Sequence, residues 1–303
     1  MLTDWLHEWW TKLYFVLLRP MLKWLLRHVT GKCELLRITY EESDRVSRTK
    51  RIESSLNYSS SVDVRRCATD SDYDISESVS NLMKLKDVVP EVHTQFEPTL
   101  KDSLLRIRAY NKILKEAEAL RTTKYDAENK AHEKQLTELW SLYKSDVPLP
   151  QRVGPHWQEL GFQGHDPKTD FRGMGMLGLQ QLTFFAVNYP ESAVRVFSQS
   201  HHPQYGFSFA IVAINITGMG FELLRKRKLR PHFYSSEKAE PDLTDFHHVY
   251  CYLLHDFTQF WLSEKPKDIM EFSRLHNKFL KQVKQKLKSD SPTLRAAFQE
   301  DSS

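Results

Sequence analysis

The chain has 303 residues, 40% of them hydrophobic and 27% charged, which gives room for one large domain or two modest ones around a proper core. Its formal net charge of +4 is too small to imply nucleic-acid binding. The three cysteines, Cys33, Cys67 and Cys251, are an odd number without CxxC spacing, a usage that favours free thiols in a reducing compartment.

Residues 4–29 read as an aromatic-rich amphipathic helix, with Trp5, Trp9, Trp10, Leu13, Tyr14, Leu17 and Leu18 at helical spacing. Pro20 is expected to kink or break it. The most apolar stretch, Leu13 to Leu26, is interrupted by Arg19, Pro20 and Lys23, so no transmembrane span is expected. It does not read as a signal peptide either, because Asp4 and Glu8 precede it and no small-residue cleavage site follows. Tryptophan beside Arg19, Lys23, Arg27 and Lys32 suits a helix lying at a membrane surface, and equally a terminal helix docked on the protein's own core. Residues 1–32 are therefore set apart as an N-terminal helix.

Residues 33–127 read as a serine-rich connector followed by a helical extension. Eleven serines fall within residues 43–80, where periodicity is weak, so a partly flexible connector with short helices at most is expected. Glu77–Lys86 and Leu100–Leu120 look helical. The second carries Leu104, Leu105, Ile107, Tyr110, Ile113, Leu114 and Ala117 on one stripe, with Pro98 near its start. A further helix, about Glu128 to Tyr143, places Leu136, Leu139, Trp140 and Tyr143 at i, i+3, i+4 and i+7 before Val147, Pro148 and Pro150 end it. A domain boundary is placed near residues 122–131, with the main domain over 128–290.

Five of the ten glycines lie between Gly161 and Gly178, and none between Gly31 and Gly154. A glycine-rich loop of this length between helices is more often functional than connective. Beyond it, Leu177–Asn188 and a segment opened by Pro190 read as helices. Residues 205–224 are apolar almost all round and read as a buried central helix, and Leu243–Leu262 repeats the pattern. Pro266 is expected to open a last helix to about Lys288, and residues 291–303 to fray. Few segments alternate with period two, so the class is all-α.

Gly173, Gly175 and Gly178 match GxGxxG in form, but DPKTDFR before them is no buried strand, and tight turning is the simpler reading. Gly164 to Thr169 lacks the glycine that Walker A needs before Lys168. No nucleotide or other cofactor is expected. His247, Cys251 and His255 share a helix face without a fourth ligand, so no metal is expected either. Neither GxSxG nor HExxH is present, which leaves hydrolase chemistry unsupported. The basic run Arg225, Lys226, Arg227, Lys228 and Arg230 is a solvated face, or a contact for an acidic partner or anionic lipid. Arg172 sits in the flexible loop, and its planar fork of donors matches phosphate oxygens. By chemistry alone the favoured reading is a structural partner of Asp166 or Asp170.

From Trp157 to Leu179 the chain reads WQELGFQGHDPKTDFRGMGMLGL. Trp157, Gly161, Phe162, Gln163, Pro167, Thr169, Asp170, Arg172, Gly173, Gly175 and Gly178 stand in a pattern, WxxxGFQGxDPxTDFRGMGxLGL, that closely resembles the signature of the ELMO domain. The resemblance covers roughly residues 128–290, including FSFAIVAINIT at 207–217 and FHHVYCYLLHDFTQFW at 246–261, and extends to TGKCELLRI at 30–38. It points to the small ELMO domain-containing proteins, not the long scaffolds that pair with Rac exchange factors. This chain has no room for the armadillo repeats and pleckstrin-homology domain of those scaffolds, and no PxxP tail.

The resemblance implies an all-α, multi-helix domain with a helical N-terminal extension. It also implies GTPase-activating activity toward Arf and Arf-like small GTPases at a cytosolic membrane face. The protein would be an activator without turnover of its own. The family's arginine finger falls in TDFRG, so Arg172 is the catalytic candidate, with Asp170 orienting its fork and Gln163 meeting the partner's switch region. His165 stands where relatives often carry an acid, and VGPH before Trp157 also departs from the pattern. Two further functions compete: an adaptor that binds a GTPase or exchange factor without accelerating anything, and a peripheral membrane tether built on the N-terminal helix.

Overall fold

The computed structural model describes residue 9, residues 18–288 and residues 293–295. The aromatic positions Trp5 and Trp10, with the rest of residues 1–8 and 10–17, lie outside it, as do 289–292 and 296–303. Among the described residues every regular element is helical, as the sequence leads one to expect. In chain order these are α1 (Arg19–Thr30), α2 (Glu34–Glu41), α3 (Arg45–Asn57), α4 (Val62–Thr69), α5 (Ile75–Leu85), α6 (Phe96–Thr122) and α7 (Lys130–Tyr143). There follow α8 (Gly175–Asn188), α9 (Pro190–Ser200), α10 (Phe209–Arg225), α11 (Arg230–Ser235), α12 (Leu243–Glu264) and α13 (Phe272–Lys286). The chain divides into two compact units, residues up to Lys112 with Phe233–Pro241, and Ile113–His232 with the residues from Asp242 onward. The division falls inside α6.

In the first unit, the serine-rich stretch is ordered helix and not a connector. Asp44 accepts from the Ser47 N–H at 2.7 Å and Asp74 from the Glu77 N–H at 2.7 Å, side-chain caps that start α3 and α5. Along α3, α4 and α5, Ile52, Leu56, Val64, Cys67, Ala68, Ile75, Val79, Leu82 and Met83 are buried, three and four residues apart within each helix. Of the serines in this stretch only Ser55 is buried; the others dilute the apolar pattern without breaking it. Pro20 stands in the first turn of α1, where its missing N–H is tolerated; residues 10–17, on which the expected kink or break falls, lie outside the described residues.

Arg19 reaches Glu34 at 3.2 Å and Lys23 reaches it at 2.6 Å, while the Ser55 hydroxyl donates to the same carboxylate. Burial pushes the Glu34 pKa up, but Lys23 and Ser55 outweigh it and hold the group below its usual value. The returning segment is pinned to α6 by Arg106, which donates to the carbonyls of Tyr234 at 3.2 Å and Ser236 at 2.7 Å. Tyr110 packs edge-on against Phe233 and Tyr234.

In the second unit α8, α10 and α12 pack on one another, with α7 and α9 against α8 and α13 against α12. These helices are apolar almost all round because neighbours cover them on several sides. Asp242 and Asp245 form a reciprocal capping box at the start of α12. Pro266 opens no helix: α13 begins at Phe272, after a short 3-10 turn at Ile269–Glu271. Of the tail expected to fray, residues 293–295 are described. Leu294 is 1% exposed and its N–H donates to His232 Nδ1 at 3.0 Å.

Candidate functional site

The stretch from Gly154 to Gly175 contains no long helix, yet its backbone is tied down at nearly every step. Three short 3-10 turns build it, at Pro155–Leu160, Pro167–Thr169 and Arg172–Met174. At the entry, the Gly154 N–H donates to the His165 carbonyl at 2.8 Å, so the VGPH segment closes a loop with His165. Trp157 is fully buried, packs edge-on against Trp140 and Phe162, and donates its indole N–H to the Arg152 carbonyl at 2.9 Å.

Gly161 has φ of +81°, and a Cβ there would lie 2.3 Å from the Phe209 backbone nitrogen. Only glycine lets the loop cross the start of α10 this closely. Gly175 plays the same part at the exit. Its φ is +46°, and a Cβ would lie 2.4 Å from the Thr123 carbonyl and 2.5 Å from the Arg121 carbonyl. Gly178, inside α8, leaves ordinary contact distances to Met174, Phe171 and Ile214.

Asp170 is 3% exposed and turns its carboxylate into the loop, where one oxygen accepts from the Gln163 N–H at 2.7 Å and the Gly164 N–H at 3.3 Å. Its visible work is therefore to hold the Gln163–Gly164 turn. Gln163 is exposed at that turn, and Thr169 caps the next one through the Asp166 carbonyl at 3.0 Å. Pro167 and Phe171 are buried, and Phe171 packs against Phe162 and Tyr125. Asp170→Ala is expected to leave two N–H groups without their acceptor and to cost about 1–3 kcal/mol in urea denaturation. Asp170→Asn keeps an acceptor oxygen and should cost less.

Asp166 is engaged by Arg152 at 2.9 Å and Lys168 at 3.3 Å, and Arg152 also binds Glu133 at 2.7 Å. Burial pushes the Asp166 pKa up, but the Arg152 contact and the Lys168 N–H outweigh it and hold it below the usual carboxylate range. Arg152 also lies over the Tyr125 ring at 5.5 Å.

Between Phe171, buried, and Gly173, exposed, the chain turns outward at Arg172. The Arg172 side chain itself lies outside the described residues. A Cβ on Gly173 would meet nothing within 4 Å. The Gly173 carbonyl is held at 3.1 Å by Arg121, whose guanidinium is clamped by Glu118 at 2.7 Å and lies over the Phe221 ring at 5.2 Å. Beside this turn is an open depression of about 200 Å³, lined by Asp170, Phe171, Gly173 and Met174 from the loop and by Ile211, Ile214, Asn215 and Gly218 from α10.

Ile211, Asn215, Gly218, Glu222 and Arg225 follow one another along a single face of α10, spaced three or four residues apart, with Lys226 at its C-terminal cap. At 1.5 Å per residue the stripe runs about 20 Å. The structure thus brings the start of the basic run onto the same face as the loop. There, Arg225 and Lys226 both pair with Glu222 at 2.8 Å. Arg227 has φ of +58°, turning the chain away after α10, and Lys228 is exposed.

A model of the ELMO/CED-12 family matches residues 115–276. ELMO domain-containing protein 2 of mouse is 40% identical to the chain over 91% of it and 94% of that protein. ELMO domain-containing protein 1 of cattle is 39% identical over 91% and 90% of the two chains. ELMO domain-containing protein B of Dictyostelium discoideum is 32% identical over 87% and 93%. The chain belongs to the ELMO/CED-12 family.

The ELMO match encloses the whole loop and the α10 stripe. Within this ELMO chain, sequence reasoning missed Arg121, Tyr125, Glu133 and Arg152. Each meets the loop only through the fold, and no local spacing marks them. His247 is buried against Gln181 and Phe184, with burial lowering its pKa to about 4. Cys33, Cys67 and Cys251 are free and buried. Among the described residues no group of three His, Cys, Asp or Glu is placed to hold a metal ion. Nor is any described helix long and apolar enough to cross a membrane.

Proposed function

We propose that this ELMO-family chain is a GTPase-activating protein for small GTPases of the Arf and Arf-like families. In this reading it acts in the cytoplasm, on the face of an endomembrane such as the endoplasmic reticulum or Golgi, and supplies Arg172 in trans. One observation supports this above the rest: a loop whose anchors Trp157, Phe162, Asp170 and Phe171 are buried leaves its chain exposed at Gly173, next to Arg172. A guanidinium delivered into another protein's site needs such a mount, because it must arrive already positioned. The open depression and the stripe along α10 give the partner a surface beside it, with Arg225 and Lys226 at its far end. The protein turns over nothing itself and needs no cofactor in this reading.

Single-turnover hydrolysis of GTP by a panel of purified Arf and Arf-like GTPases, with and without this protein, tests it. At least one member is expected to hydrolyse GTP about 10³–10⁵ times faster in its presence, the range an arginine in trans provides. A GTPase that binds the chain in its GTP form without acceleration makes the protein an adaptor instead.

A further inference from the structure

Helix α1 is inverted for a helix packed on its own protein. Arg19 is its one buried residue, and Arg19 and Lys23 turn inward to Glu34. Met21, Leu22, Trp24, Leu25, Leu26 and Val29 are all exposed: Trp24 at 65%, Leu25 at 50% and Val29 at 75%. At 100° per residue these six occupy one broad arc, while Arg19, Lys23 and Arg27 fill the opposite one. His28 lies within the apolar arc and stacks on Trp24 at 5.3 Å. A water-facing helix of ordinary composition does the reverse, so this arc is built to be covered.

We infer that α1 lies flat on an anionic lipid surface, with the arc from Met21 to Val29 seated among the upper acyl chains. The charge pattern selects lipid over an ordinary protein partner. From Arg19 to Lys32 the chain carries Arg19, Lys23, Arg27 and Lys32 and no carboxylate. Lys23 and Arg27 lie across the helix from the arc, where Lys23 meets Glu34 at 2.6 Å and Arg27 meets Asp87 at 3.2 Å, and with Lys86, Ser55 and Ser59 they line a cavity of about 130 Å³. Glu34 is the one carboxylate lining it. With Lys32 and Lys86, the cations Arg19, Lys23 and Arg27 outnumber the carboxylates Glu34 and Asp87 that pair with them, and that excess of positive charge behind an apolar face suits an anionic lipid surface. Tryptophan suits this depth, because its ring is apolar and its N–H stays near water. This surface rests on the membrane-face part of the proposed function and is independent of Arg172.

The test is flotation of the full-length protein with vesicles of phosphatidylcholine alone and of phosphatidylcholine mixed with phosphatidylserine. The protein is expected to float with the mixed vesicles, less with the neutral ones, and less again as salt is raised. A Trp24→Ala, Leu25→Ala double substitution, at exposed positions where the fold does not depend on it, is expected to lower partitioning by about tenfold or more. Unchanged far-ultraviolet circular dichroism and melting temperature keep that result attributable to the face. Equal flotation of the double variant overturns the assignment, as does failure of the parent chain to float with either vesicle. A dimer in solution that the double variant dissolves, without vesicle binding by the parent, gives the face to a second copy and also overturns it. Stimulation of GTP hydrolysis in vesicle-free solution is unaffected by any of these outcomes, so the two proposals fail separately.

Discussion

Arg172→Lys is expected to abolish stimulation of GTP hydrolysis while leaving the melting temperature nearly where it was. Lysine keeps the charge but loses the planar fork, so it neutralises one phosphate oxygen where arginine spans two. An arginine supplied in trans is worth about 10³–10⁵ in rate, which is roughly 4–7 kcal/mol of barrier. The fold should tolerate the change because the loop is anchored elsewhere, by Asp170 on Gln163 and Gly164 and by Arg121 on the Gly173 carbonyl. Binding of the GTP-loaded partner should persist in the variant, since the α10 stripe is untouched. Normal stimulation by Arg172→Lys would remove Arg172 from the mechanism and leave the loop as a recognition element. A variant that melts well below the parent would show that the arginine serves the fold first.

Gly161→Ala is expected to be among the most destabilising single-methyl changes in the chain. The left-handed backbone there costs a residue with a side chain about 1–2 kcal/mol. The added carbon also meets the Phe209 nitrogen and the Ser208 carbonyl carbon, both backbone atoms that cannot swing aside. Relieving that overlap adds about 1–3 kcal/mol. The sum, about 2–5 kcal/mol, should lower the melting temperature by about 5–15 °C for a unit of this size. Gly173→Ala is the internal control, since nothing stands within 4 Å of the position and its φ is not positive. It should be near neutral in a thermal melt. If both substitutions proved equally mild, the loop would not be clamped against α10 as described.

These two glycines show what could be read from the chain and what could not. The density of glycines between Gly161 and Gly178 marked a loop with special backbone needs. It did not say which glycine has a neighbour in the way and which has open space, because the neighbours, Phe209 and Thr123, are dozens of residues distant. Asp170 was legible as part of a signature and as a chemical guess about orienting an arginine. The observed carboxylate instead caps its own loop, an arrangement that needs the turn to be folded before it exists.

The helices were legible to different degrees for a physical reason. Long stripes such as those of α6, α10 and α12 repeat their apolar residues often enough to announce a helix from local order alone. The helices α3, α4 and α5 bury only a few residues each among exposed serines, so their packing, and not their local pattern, makes them helical. The aspartate caps of α3 and α5 were the available signal. The outward apolar arc of α1 was visible as amphipathicity, but not its direction. Periodicity defines two faces, and only the ion pairs to Glu34 show which of them turns to the protein. By itself the sequence determined the helical class, the family and the segment carrying Arg172, because those reside in local periodicity and in residue identity. Only the tertiary structure decided that Arg152 and Arg121 brace that segment, that α10 lays a surface beside it, and that α1 presents its apolar arc outward. Such relations are distances between residues far apart in the chain, and no local spacing encodes them.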